Sequence, residues 1–292
     1  MITFGHVLEI GIRRLEEADI SDGKRDAETL LLHMENADRT FLYVHRYDPT
    51  DEYRAEAYFR LIDRRAEGEP LQYILGSQEF MGLSFEVNPS VLIPRQDTET
   101  LVELAVSRAA EKKKSLSVLD MCCGSGATAE SIAHFLPKAI VTACDISPEA
   151  LEVARRNAEK NGLGGRIEFL ESDLFYVTKR KKKIHMKDTF DMILSNPPYI
   201  PTEVIGTLQT EVKDHEPLTA LDGGADGLDF YRRIAEEAAE SLKKDGLMLL
   251  EIGSDQAEAV TSLLRDAGYY GEIEVTRDLA GLQRVVSCRK LK

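Results

Sequence analysis

The sequence predicts an α/β protein. A doubly wound, largely parallel sheet domain spans residues 91–292, a small helical domain spans residues 1–70, and a β-hairpin over residues 71–90 links the two. Three observations carry this reading. At 292 residues the chain is longer than a typical single domain. Apolar positions near its start recur at helical spacing. Beyond the hairpin, short apolar runs alternate with helical segments, the pattern that buries both faces of a parallel sheet.

The first helix is marked by Phe4, Val7, Leu8, Ile12 and Leu15 on one face, with Thr3 as its cap. Ala27, Leu30, Leu31 and Met34 mark a second. A third carries Tyr58, Leu61 and Ile62 behind the capping candidates Thr50 and Asp51. After Pro70 the texture changes. Leu83, Phe85 and Val87 alternate, and Gly82 and Asn88-Pro89 supply turn chemistry. A helix through Leu101, Val102, Leu104 and Ala105 leads into the β/α alternation. Its strands are expected at 117–121, 140–144, 167–170, 190–195, 247–252, 272–276 and 284–288.

Composition narrows the class. The net charge of −14 repels a bare phosphate backbone, which argues against direct nucleic-acid binding. The basic runs Lys112–Lys114 and Lys179–Lys183 read as solvated connections. Cys122, Cys123, Cys144 and Cys288 form no C-x-x-C pair and stand near no histidine at zinc spacing, so no metal site is expected. No apolar stretch reaches the length of a membrane span, and the chain start lacks the layout of a secretion signal. A soluble protein of the reducing cytoplasm is expected, with no membrane partner.

Chemistry enters with Val118-Leu119-Asp120-Met121-Cys122-Cys123-Gly124-Ser125-Gly126, where a glycine-containing turn follows a strand and precedes a helix. Glycine lets the backbone approach a ligand at the strand's carboxyl end. Asp145 closes the next strand, about 20 residues further on, where a carboxylate can take both hydroxyls of a ribose. Ser147-Pro148 then caps and starts a helix. Asp173, after the third strand, is placed either to accept from an adenine amino group or to serve as a turn residue before Leu174-Phe175. Together these features favour a nucleoside. Thr128 and Ala129 after Gly126 depart from the G-x-G-x-x-G form that admits a pyrophosphate, which argues against a dinucleotide.

The most informative residues are Asn196-Pro197-Pro198-Tyr199, at the end of the strand Phe190–Ser195. Two prolines stiffen the backbone and remove two donors, leaving the Asn196 side-chain oxygen and the Pro197 carbonyl as acceptors for a planar NH2 group. Tyr199 offers an aromatic face. The tetrapeptide resembles the N-P-P-Y motif of methyltransferases that modify amino groups on adenine and cytosine, or glutamine amides. Further segments resemble the HemK or PrmC family, the release-factor glutamine N5-methyltransferases. They are Pro70-Leu71-Gln72-Tyr73-Ile74, Glu79-Phe80, Gly82, Val91-Leu92-Ile93-Pro94-Arg95 with Asp97-Thr98-Glu99, Glu216-Pro217, Ala220-Leu221, Gly223-Gly224 and Asp226-Gly227-Leu228.

The resemblance covers about residues 70–290 and implies a Rossmann-like S-adenosylmethionine-dependent methyltransferase domain, joined by a β-hairpin to a helical domain that helps hold the partner. By position, Cys122, Cys123, Gly124, Ser125 and Gly126 fall on the cofactor loop, Asp145 on the ribose ligand, and Asp173-Leu174 on the adenine side. Asn196, Pro197, Pro198 and Tyr199 fall on the catalytic site, with Asn196 also beside the cofactor. Cys122-Cys123 replaces the usual Gly-Thr, and Gln96 stands where proline is common. The implied substrate is the glutamine of the Gly-Gly-Gln loop of class-one peptide-chain release factors. An amino methyltransferase of DNA or RNA, or a non-catalytic binding module, are the competing readings. In-line transfer to an aligned amide needs no metal, nucleophilic cysteine or catalytic histidine.

Overall fold

A computed structural model describes residues 2–110, 115–177 and 188–291 together with the backbone of residues 182–183. The basic runs Lys112–Lys114 and Lys179–Lys183 lie outside the described residues, apart from that two-residue backbone segment. By its internal packing the chain divides into a first unit, Met1–Ser77 with Gln209–His215, and a second, Gln78–Leu208 with Glu216–Lys292.

The first unit is helical. Its helices are α1 (Phe4–Glu17), α2 (Gly23–Glu35), α3 (Arg39–Val44), α4 (Glu52–Ala66) and α5 (Leu71–Leu75). Side chains cap three of them as their sequences require: Thr3 accepts from His6 N, Asp38 from Thr40 N, and Asp51 from Arg54 N. Val7, Leu15, Leu30, Leu31, Tyr58 and Ile62 form the centre of its core. The fully buried Tyr58 donates its hydroxyl to the Ala27 carbonyl at 3.1 Å. Arg65, also buried, is held by Asp26 at 2.8 Å and by Glu211 at 2.9 Å.

The second unit opens with the hairpin β1 (Ser77–Phe80) and β2 (Leu83–Glu86), whose Phe80 and Phe85 are buried against one layer of the core. Helix α6 (Glu99–Ala110) follows. Strands β3 (Ser117–Met121), β4 (Ile140–Asp145) and β5 (Ile167–Asp173) alternate with α7 (Ala127–Phe135) and α8 (Pro148–Lys160). Two short strands, β6 (Tyr176–Val177) and β7 (Lys182–Lys183), extend the edge before β8 (Phe190–Ser195). Short helices α9 (Thr202–Ile205) and α11 (Leu218–Leu221) precede α12 (Asp229–Ser241), while α10 (Thr210–Lys213), between them in sequence, belongs to the first unit. Then come β9 (Leu242–Glu251), α13 (Ala257–Ala267), β10 (Tyr270–Arg277) and β11 (Gln283–Lys290).

The nine strands after the hairpin form one sheet in the order β10-β11-β9-β8-β3-β4-β5-β6-β7. β3, β4, β5, β8 and β9 run parallel, whereas β10 and β11 pair antiparallel at one edge and β6 and β7 at the other. Alternation in the central strands divides the core into two layers. Val118, Met192, Leu194, Leu247 and Leu249 enter one, and Leu119, Ile193, Met248 and Leu250 the other. A doubly wound α/β domain is thereby confirmed. Among the described residues, no helix is long and apolar enough to cross a membrane.

One glycine in α1 has a measurable consequence. A Cβ on Gly11 sits 2.3 Å from the Tyr58 hydroxyl oxygen and 2.8 Å from its ring. Alanine favours a helix over glycine by about 1 kcal/mol, but overpacking costs about 1–3 kcal/mol and displacing the Tyr58 hydroxyl adds about 1 kcal/mol. Gly11→Ala is therefore expected to lower stability in urea melts, and Tyr58→Phe in the same chain to recover part of the loss. A stabilised single variant contradicts this packing.

Candidate active site

Parallel strands leave the sheet at one edge, and the winding direction reverses between β3 and β8, so a crevice forms where those two strands end. A cavity of about 460 Å³ lies at these ends. Its walls include Cys122, Cys123, Gly124 and Ser125 after β3, Asp145 at the end of β4, Asp173 and Leu174 after β5, and Asn196 and Pro198 after β8. The cavity thus brings together most of the residues singled out in the sequence. Gly126, Pro197 and Tyr199 are not among its lining residues.

The turn after β3 is shaped by its backbone. Cys122, Gly124 and Gly126 have φ of +58°, +52° and +84°. A Cβ on Gly124 meets no neighbour within 4 Å, so the open cavity lies beside its bare backbone. Gly126 caps α7, and a Cβ there sits 3.0 Å from Glu130 Oε1 and 3.1 Å from Ala154 Cβ, a close helix approach only glycine permits without displacement. Cys122 holds a left-handed conformation that costs a side-chain residue about 1 kcal/mol, at the position where the resembling family carries glycine. Burial pushes the Cys122 and Cys123 thiols well above their usual range, and the Cys144 thiol up to about 12. These are neutral packing groups rather than nucleophiles.

Asp145 ties the glycine turn to the next helix. Its Oδ2 accepts from Gly124 N at 2.9 Å and its Oδ1 from Ser147 N at 3.0 Å. Ser147 in turn caps α8 through Ala150 N. Burial raises the Asp145 pKa, and the backbone donors at Ser147, Gly124 and Ile146 pull against that rise. Each carboxylate oxygen keeps acceptor capacity beyond its backbone bond, and Asp145 lines the cavity beside the bare Gly124. This acceptor pair and glycine-lined wall fit the vicinal hydroxyls of a ribose. Asp173 pairs with Arg233 of α12 at 2.8 Å, and both line the cavity.

The tetrapeptide is braced from several sides. Ser195 Oγ donates to the Met121 carbonyl at 3.0 Å, tying the end of β8 to β3. Gln256 Nε2 donates to the Tyr199 carbonyl at 2.9 Å. The Gly223–Gly227 loop lies against the same backbone. A Cβ on Gly223 sits 2.7 Å from Tyr199 Cα, and one on Gly227 lies 2.3 Å from the Tyr199 carbonyl oxygen. These glycines answer a close approach that the sequence alone does not reveal. Asn196 Nδ2 donates to Thr98 Oγ1 at 3.3 Å, and its Oδ1 is the remaining polar atom of that carboxamide.

Beneath the tetrapeptide lies a cluster that the sequence analysis did not single out. Glu251, 1% exposed, ends β9. Burial pushes its pKa up to about 7, against hydrogen bonding by Thr98, the charge of Arg284 and hydrogen bonding by Tyr199. Burial likewise pushes the Tyr199 phenol up to about 12. Arg284 is held by Asp97 at 3.0 Å and Asp278 at 3.1 Å. At the cavity wall Arg95 pairs with the buried Glu216 at 2.5 Å, and Glu216 also accepts from Ile93 N at 3.1 Å. On the neighbouring strand, burial pushes Asp120 up to about 8, with the nearby Asp145 charge adding to the rise, and its Oδ2 finds no partner in the described residues.

A parallel-sheet crevice with a glycine turn, a paired acid at the next strand and a proline-stiffened pair of acceptors defines a methyltransferase domain of the S-adenosylmethionine-dependent class. Residues 6–76 match a family described as PrmC N-terminal domain, and residues 112–276 one described as methyltransferase domain. The chain is 44% identical over 283 residues to the release factor glutamine methyltransferase of Moorella thermoacetica, covering 97% of each chain. It is 43% identical to that of Geobacter sulfurreducens over 94% of this chain and 92% of that protein. A solved methyltransferase from Pyrococcus furiosus shares the fold at 20% identity, with a TM-score of 0.51 over 79% of this chain and 99% of that one. The chain belongs to the release factor glutamine methyltransferase family, and S-adenosylmethionine is its methyl donor.

The buried acids make stability depend on pH. Asp120 and Glu251 rise from ordinary values of 3.8 and 4.5 to about 8 and about 7. The folded chain therefore holds protons that the unfolded chain has already released. The stability these groups contribute is fully present below about pH 4, falls by on the order of 1 kcal/mol per pH unit for each group above that, and is lost as pH rises through about 7 to 8. Urea midpoints are expected to drop between about pH 6 and about pH 9. Asp120→Asn should flatten that drop, and an unchanged slope in the variant removes Asp120 as its source.

Proposed function

We propose that this chain transfers a methyl group to the side-chain amide nitrogen of the glutamine in the Gly-Gly-Gln loop of class-one peptide-chain release factors. The observation that carries this reading is the proline-stiffened segment Asn196–Tyr199, braced at the end of β8, whose Asn196 and Pro198 line the same cavity as Asp145 and Gly124. The close relatives named above support the choice of substrate. The net charge of −14 supports a protein substrate over a nucleic acid.

In this reading Asp145 accepts from both ribose hydroxyls of the cofactor, the turn Cys122–Gly126 backs its methionine portion, and Asp173 with Leu174 borders the adenine. Arg233 holds Asp173 in place at 2.8 Å. The sulfonium of the bound cofactor supplies an activated methyl group. An amide nitrogen is a weak nucleophile because its lone pair is shared with the carbonyl. Asn196 Oδ1 and the Pro197 carbonyl accept its two hydrogens, which orients the nitrogen and stabilises the positive charge that develops on it. Pro198 fixes the path of the turn. Tyr199 does not line the cavity and its carbonyl accepts from Gln256 Nε2, so its role is to anchor the turn.

The helical first unit, which carries no catalytic fingerprint, serves partner recognition. The reaction is placed in the cytoplasm, where release factors act.

Two variants and one competition test the reading. Asp145→Ala is expected to weaken cofactor binding at least about tenfold by calorimetry, the loss of hydrogen bonds to a charged acceptor. Asn196→Ala should bind cofactor nearly as well as the parent yet transfer almost no methyl. With labelled cofactor, and release factor and DNA offered at equal concentration, the label should enter the protein and vanish when its Gly-Gly-Gln glutamine is replaced. A duplex base must first be flipped out, at a cost of a few kcal/mol. Label on a nucleobase and none on the glutamine overturns the substrate assignment.

A further inference from the structure

We infer that Asn157 is a positioning residue for the cofactor turn: its buried carboxamide locks the turn after β3 to hairpin strand β2, which makes the hairpin part of the cofactor site. The inference rests on the reading that the turn Cys122–Gly126 holds the cofactor.

Asn157 lies in α8 and is fully buried. Its Oδ1 accepts from Glu86 N at 2.6 Å. Its Nδ2 donates to the Glu86 carbonyl at 3.0 Å and to the Ser125 carbonyl at 3.0 Å. Both amide protons and the oxygen are thus engaged by backbone. Toward Glu86 the carboxamide acts as a neighbouring strand would, offering an acceptor and a donor to the N–H and C=O of one residue. The second proton reaches the turn, at a residue of the cavity wall.

On its other side the turn is tied to β4. Cys123 N donates to the Cys144 carbonyl at 3.0 Å, and Gly124 N to Asp145 Oδ2 at 2.9 Å. Asn157 holds the side that faces α8, where Ala154 is small enough to let Gly126 approach. Ser125 is itself buried. Without Asn157 its carbonyl either stays unpaired in the core or turns toward the cavity, and a buried carbonyl without a partner is costly enough to move the turn.

α8 is fastened to the hairpin at other points that do not reach the turn. Asn161, one helical turn further on, donates from Nδ2 to the Ser84 carbonyl at 3.3 Å and to Glu130 Oε2 at 2.9 Å. Arg156 pairs with Glu86 at 2.6 Å, and Lys160 Nζ donates to Ser84 Oγ at 3.1 Å. These bonds fix the hairpin, whose buried Phe80 also lines the cavity. Among the described residues, Asn157 is the side chain that bonds both the hairpin and the turn.

Calorimetry with S-adenosylmethionine compares the parent with Asn157→Ala, Asn161→Ala and Asp145→Ala, and methyl transfer gives kcat and the cofactor KM. For Asn157→Ala, Kd and cofactor KM are expected to rise at least about tenfold, with a smaller change in kcat at saturating cofactor. Asn161→Ala removes two bonds of the same kind from the same helix. It should lower the melting temperature yet leave cofactor affinity within about twofold of the parent. If Asn157→Ala does not fold, hydrogen exchange of the parent decides. Saturating cofactor is expected to slow exchange of the Glu86 amide, whose acceptor is Asn157, at least about threefold along with the amides of the turn.

Parental affinity in Asn157→Ala, alongside weakened binding in Asp145→Ala, overturns the positioning role and leaves the cofactor reading standing. Equal losses of affinity in Asn157→Ala and Asn161→Ala overturn it too, because the effect then follows general loosening of the hairpin. Protection of the turn amides without protection of Glu86 breaks the link to the hairpin. Parental affinity in Asp145→Ala removes the reading on which the inference rests.

Discussion

Parallel strand pairing is the constraint on which the site depends. β3 lies in parallel register between β4 and β8, and β8 pairs in parallel with β9, so residues far apart in sequence leave the sheet at one edge. Met121 pairs with Cys144 and with Ser195, and Ser195 with Leu250. That register places Cys122, Asp145, Asn196 and Glu251 in one row at the strand ends, with Asp120 two residues further into the sheet. The alternating core layers hold it, because a slip of one residue turns every buried side chain of a strand to the wrong face. Placement of the polar groups is in this sense a by-product of apolar packing.

Crowding acids at one edge has an energetic consequence. Asp120 and Glu251 are buried with raised pKa values, and each has one carboxyl oxygen without a partner in the described residues. A fold selected for stability alone has little reason to retain such groups, since an unsatisfied buried polar atom costs about 1–3 kcal/mol. Glu251 has Thr98, Arg284 and Tyr199 as neighbours that pull its raised pKa down. Asp120 precedes the glycine turn by two residues, and the charge of Asp145 acts on it. The Cys122 backbone at φ +58° is a further local cost at the same edge.

Much of this was legible in the sequence, for identifiable reasons. β3 and β8 are short runs buried on both faces, so Ser117–Met121 and Phe190–Ser195 could be read to the residue. β9 begins at Leu242, earlier than its apolar run, because an irregular register between Phe190 and Met192 lets the charged stretch Lys243–Asp245 lie within the strand. Helix α3 escaped notice since none of its six residues is buried and its apolar spacing has no face to fill. The glycine turn, Asp145 and the tetrapeptide were found because each carries its chemistry within a few residues. Arg284 and Glu251 were not, because only the strand order brings them to the site, and Arg95, Thr98 and Glu216 were noticed only through resemblance. Gly223 and Gly227 were noticed through resemblance, while their physical reason, contact with the Tyr199 backbone, is tertiary.

The central claim is that Asn196 and Pro197 hold the two hydrogens of a glutamine amide. A crystal structure of the protein with the demethylated cofactor and a bound Gly-Gly-Gln segment tests it most directly. The account predicts the glutamine nitrogen at about 3 Å from both Asn196 Oδ1 and the Pro197 carbonyl oxygen, with Asn196 Nδ2 still directed at Thr98. A glutamine amide bound elsewhere in the cavity, or an Asn196 side chain with its nitrogen toward the substrate, contradicts it.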